Sequence, residues 1–76
     1  MNSNVIERKI MFPPGARIVV LETIEDIFTP ILKDEKGTVL HVDDIGSVHT
    51  QWDNGSTLAA LIEDKISLIN KGEDKL

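Results

Sequence analysis

Seventy-six residues without a cysteine make room for one domain, and neither disulfides nor thiolate-bound zinc can staple it. Thirteen acids against eight bases leave a net charge of −5, and between Phe12 and Ile69 ten acids oppose only four bases. A nucleic-acid partner, which calls for a basic stripe, is therefore not expected. No apolar run reaches the roughly 18 residues of a membrane span, and MNSNVIERKIMFPPG lacks the apolar stretch and cleavage site of a signal peptide, so the expected location is cytoplasmic with no membrane contact.

Residues 1–11 read as an N-terminal extension. Asn4 and Glu7 have a capping-box spacing and Ile6 and Ile10 would share a face, which predicts one or two helical turns standing apart from the domain. Phe12 to Gly15 is a stiff lead-in set by two prolines. Ala16 to Glu22, with Ile18, Val19, Val20 and Leu21 in succession, predicts a first strand. Thr23 to Lys36 is a long first loop that Pro30 interrupts and in which Thr23 and Asp26 could cap a single helical turn.

Gly37 to Val42 predicts a second strand and Asp43-Asp44-Ile45-Gly46 a tight turn. Val48, Thr50 and Trp52 alternate with His49 and Gln51 in a third, half-buried strand. Asp53-Asn54-Gly55-Ser56 signals a hairpin with a two-residue type I′ turn. Thr57 to Ile62 then predicts a fourth strand, Glu63 to Lys65 a short turn and Ile66 to Ile69 a fifth strand, with 70–76 a flexible tail.

Five short strands, a long first loop and tight turns in this order predict an all-β domain over 12–69, a small five-stranded SH3-like barrel in which closure hides the strand edges. The expected core is Ile18, Val20, Val39, Val48, Trp52, Leu58 and Leu61, with Ile66 or Leu68.

The run MFPPGARIVVL followed by KGTVLHVDDIGSVHTQWDNGSTLAALIEDKI resembles a bacterial family known only as a small domain of unknown function, found largely in phages and mobile elements. The resemblance spans residues 11 to about 69, with the segment before Met11 outside the pattern. It implies the barrel, a bacterial or phage source and a cytosolic setting, and implies no activity.

His41 and His49 beside Asp43 and Asp44 are the residue types of a metal site, yet no spaced ligand motif is present and the aspartates suffice as turn formers. Asp43, Asp44 and Asp53 lack the ligand alternation of a calcium loop. No cofactor is expected. Scattered serines and so small a chain argue against catalysis. One Trp, two Phe and no Tyr are too few for an aromatic groove or cage.

The remaining expectation is a protein-interaction module that binds a host protein, or a second copy of this chain, through an acidic and apolar surface. The candidate residues are Ile24, Ile27, Phe28 and Ile31 in the long loop, with Asp43, Asp44 and His49. A small-ligand or nucleic-acid-binding barrel with its mouth near His49 is the alternative. Either the loop's five large apolar residues all cap the core, or at least one, foremost Phe28 or Ile31, stays exposed.

Overall fold

A computed structural model describes residues 3–69. The tail expected at 70–76 lies outside them. One helix, α1 (Ser3–Met11), precedes four strands, β1 (Arg17–Val20), β2 (Lys36–Val42), β3 (Val48–Trp52) and β4 (Ile66–Leu68). The strands form one open antiparallel sheet in the order β3-β2-β1-β4.

Each strand follows from its residues. β-branched side chains dominate β1, and alternation buries Ile18 and Val20 there and Val48, Thr50 and Trp52 on β3, as their period-2 pattern requires. Gly37 and Val39 bring the inner face of β2 against them. Phe12, Ile24, Ile31 and Ala60 complete the core.

The segment expected as a strand over Thr57–Ile62 is not one. Its backbone pairs with the sheet through a single bridge, Ala60 to Val48. Side chains take up the backbone groups a ladder would use: Trp52 Nε1 donates to the Leu58 carbonyl (2.7 Å), Ser56 Oγ accepts from Leu58 N (3.2 Å) and Asp64 Oδ2 accepts from Leu61 N (2.8 Å). Its inward residue is Ala60, whereas Leu61, expected in the core, is 45% exposed. Leu58 and Ile66 pack against the core from its edge, and Leu68 faces out.

The N-terminal helix does not stand apart. The helix starts at Ser3, so Asn4 lies inside it rather than capping it, and Ile6 and Ile10 share the face turned to solvent. Val5 is the buried residue. Arg8 Nε donates to the Gly46 carbonyl (2.9 Å), and Lys9 Nζ reaches Asp44 (2.9 Å). These contacts clamp α1 onto the β2–β3 turn.

The two hairpin turns share one construction, carried by Asp44-Ile45-Gly46-Ser47 and Asp53-Asn54-Gly55-Ser56. In each, the glycine N–H donates three residues back (Gly46 to Asp43, 3.1 Å; Gly55 to Trp52, 2.9 Å) and the residue before the Asp bonds the serine carbonyl. The glycines have φ of 86° and 95°, while Asn54 has no positive φ. Both are three-residue loops with one left-handed glycine, not the two-residue type I′ turn expected at Asn54-Gly55. A single left-handed position explains why the pattern needs one glycine and tolerates Ile or Asn before it.

Gly55→Val should cost about 1 to 3 kcal/mol through backbone strain alone, since open space surrounds a Cβ there. Asn54→Gly removes only the bond from Ser56 N to Asn54 Oδ1 (2.9 Å) and should cost about 1 kcal/mol or less. Thermal midpoints of the two variants check the difference, and equal losses would contradict this turn geometry.

Candidate functional site

The long loop is an irregular hairpin. Ile24 and Ile31 exchange both backbone hydrogen bonds (2.8 and 3.0 Å) and are buried at its base, while Thr23 Oγ1 accepts from Lys33 N (3.0 Å). Asp26 does not pair with Thr23 to cap a helical turn. Its Oδ2 instead accepts from Phe28 N (3.0 Å) and Thr29 N (2.9 Å), which shapes the tip. Between the two isoleucines the tip holds Ile27 and Phe28 out in solvent, 91% and 87% exposed, with Leu32 exposed on the return limb.

The loop's apolar residues thus divide between two roles. Ile24 and Ile31 belong to the core. Ile31, expected with Phe28 as a candidate for exposure, has no accessible surface, because its pairing with Ile24 turns it under the sheet.

A second grouping lies on the β2–β3 hairpin. The register slips between Val39 and His41, so Leu40 is an extra, bulged residue. The bulge reverses the parity of β2 and sends His41 to the outer face beside His49, where a straight strand would have sent it inward. The two imidazoles stack with centroids 4.4 Å apart and planes within 9°. Asp43 Oδ2 lies 2.8 Å from His49 Nε2, and Asp43 Oδ1 accepts from Ile45 N and Ser47 N.

Of the residues weighed for a metal, the structure therefore unites three. Asp44 is drawn off to Lys9, and parallel rings aim their nitrogens side by side rather than at a common point. Among the described residues, no group of three His, Asp or Glu side chains is arranged to hold a metal ion.

Hydrogen bonds hold three carboxyls below their ordinary pKa: Asp43 chiefly through His49, Asp53 chiefly through Arg17, and Asp26 through Thr29 and Phe28. Arg17 grips Asp53 with both guanidinium nitrogens at 2.7 Å and ties β1 to the β3 turn across β2. A depressed carboxyl contributes stability that is complete above the unfolded pKa and lost as pH falls through the folded one. The thermal midpoint should accordingly drop as pH falls below about 4. Asp53→Asn should make that acid limb shallower, and an unchanged slope would contradict the link.

A groove of about 480 Å³ lies between the loop hairpin and the 58–64 segment. Two Ile-Glu-Asp tripeptides flank it, Ile24-Glu25-Asp26 on one wall and Ile62-Glu63-Asp64 beside the other, with Leu58 and Ala59 between them. The repeat of Ile-Glu-Asp is the sequence signal that could have marked this site, which the reading of single residues missed. On the other side of the 56–59 stretch, Thr29 of the loop and His49 border a second hollow of about 560 Å³.

No helix among the described residues is long and apolar enough to cross a membrane. Neither the curated proteins nor the solved structures contain a match to the chain. One family does match, over residues 1–69, and its match takes in α1, which the motif resemblance had left outside. The helix clamped on the β2–β3 turn, the sheet and the loop hairpin are covered together, and the chain belongs to the family described as Domain of unknown function (DUF4314).

Proposed function

We propose that this protein is a non-catalytic interaction module that docks on a partner protein through the tip of its loop hairpin. The observation that carries the reading is the pair Ile27 and Phe28, almost wholly exposed on a tip whose backbone is held by Asp26. Two large apolar side chains held out in water by an ordered backbone are the makings of an interface anchor. Glu25 and Asp26 beside them favour a partner surface rimmed with bases, and the net charge of −5 weighs against a second copy of this chain.

The reading extends to the fold and setting. Pairing of β1 with both β2 and β4, and of β3 with β2 and, by one bridge, Ala60, is the neighbour order of an SH3-like barrel, with 57–62 in the place of its fourth strand. The motif resemblance supports a cytoplasmic factor of bacteria or their phages and mobile elements.

Ile27→Ser with Phe28→Ser is the test. Neither side chain contributes to the core, so the thermal midpoint should stay within a few degrees, a shift equivalent to about 0.5 kcal/mol. Capture of the partner that wild-type protein retains from its native host should be lost. A large fall in midpoint, or undiminished capture, would overturn the reading.

A further inference from the structure

The groove at the base of the loop hairpin has no role in the fold beyond its apolar lining, and its composition is one-sided. Glu25 and Asp26 stand on one wall, Glu63 and Asp64 on the other, and among the described residues no Lys or Arg lines it, although Arg8 Nη2 donates to the Leu61 carbonyl (3.4 Å) and its charge offsets that of Asp64. Two of the carboxylates are committed to shaping their own backbones: Asp26 accepts from Phe28 and Thr29, and Asp64 from Leu61. Glu25 and Glu63 are exposed. Between the walls, half-buried Leu58 and Ala59 form an apolar stretch of floor. The cleft offers apolar contact along its length and negative charge on both rims.

We infer that this groove takes an extended peptide segment of the partner in which Arg or Lys alternates with aliphatic residues, the cations pairing with Glu25 and Glu63 while the aliphatic side chains cover Leu58 and Ala59. An extended strand sends successive side chains to opposite sides, so aliphatic residues can reach the floor while the cations between them, on long flexible stems, reach the carboxylates on the rims. No aromatic ring lines the groove, and the stacked rings that hold a polyproline helix are absent from its walls. A second copy of this chain is disfavoured by its own negative charge. The inference rests on the interaction-module reading and names the chemistry of the bound segment.

Titration of the ¹⁵N-labelled full chain with three synthetic peptides tests it: one alternating Arg with Val and Leu, the same peptide with Glu for Arg, and a proline-rich peptide without bases. The Arg peptide should shift amides of residues 23–26 and 58–64, leave the 43–47 turn unmoved, and bind more weakly as salt rises. Glu25→Gln with Glu63→Gln, both on exposed residues, should weaken it by about tenfold without moving the thermal midpoint. The Glu peptide should not bind. No shifts, shifts scattered over every acidic surface, indifference to the double substitution, or equal binding of the proline-rich peptide would each overturn the inference.

The two readings fail separately. Groove binding that survives while Ile27 and Phe28 prove dispensable for partner capture removes only the tip. Capture that depends on the tip while the Arg peptide leaves the groove unmoved removes only the groove.

Discussion

Trp52→Ala should remove a large share of the domain's stability. The indole is 1% exposed, the largest fully buried side chain of the core, and its Nε1 donates to the Leu58 carbonyl at 2.7 Å. Truncation opens a cavity costing about 3 to 5 kcal/mol and strips the Leu58 carbonyl of that partner, where a domain of this length has roughly 4 to 11 kcal/mol in all. Trp52→Phe keeps much of the apolar volume and loses the hydrogen bond, so it should fall between. Urea titration followed by far-UV circular dichroism checks both. A Trp52→Ala protein within about 1 kcal/mol of wild type would mean that the core is not built around this ring.

Gly37→Ala should also destabilise the domain, though less, from the addition of one methyl group. A Cβ at this position would lie 2.6 Å from Thr50 Cγ2, 2.8 Å from Trp52 Cε3 and 3.1 Å from the Gln51 carbonyl oxygen. Thr50 is buried and its Oγ1 donates to the Val48 carbonyl (3.0 Å), so neither it nor the indole can swing away freely. Overpacking of this kind costs about 1 to 3 kcal/mol. Thr50→Ser deletes the nearest of the three contacts and keeps the hydroxyl, so adding it to Gly37→Ala should recover part of the loss although Thr50→Ser alone destabilises. Chemical denaturation of the four proteins gives the coupling, and strict additivity would contradict the contact.

How far these features could be read in advance depended on which physical signal each left in the chain. Alternation at Val48, Thr50 and Trp52 named the inner face of β3 because polar residues separate them. Leu58 to Ile62 has no such contrast, and the inward position fell on Ala60 rather than Leu61. α1 buries Val5 and is tied down by Arg8 and Lys9, whose partners are the Gly46 and Leu61 carbonyls and Asp44. Isoleucines at 6 and 10 advertised the opposite face. Leu40 reads as an ordinary strand residue, so the bulge that turns His41 outward left no mark. In the loop, Ile27 and Ile31 are the same residue type, and only the Ile24–Ile31 backbone pairing decides which is core.

The pairing of β1 with β4 joins Ile18 to Leu68, fifty positions apart, whereas Val42 meets Val48 across a short turn. Closing the longer loop costs roughly 2 kcal/mol more chain entropy, so the β2–β3 hairpin with its left-handed glycine is the natural folding nucleus and β4 docks late. On the ribosome, the edge of β1 that β4 will cover stays open until residues 66–68 have emerged. Throughout that interval Ile18-Val19-Val20 presents an unpaired, β-prone edge to any neighbouring nascent chain, which adds synthesis to the stages at which this protein is exposed to aggregation.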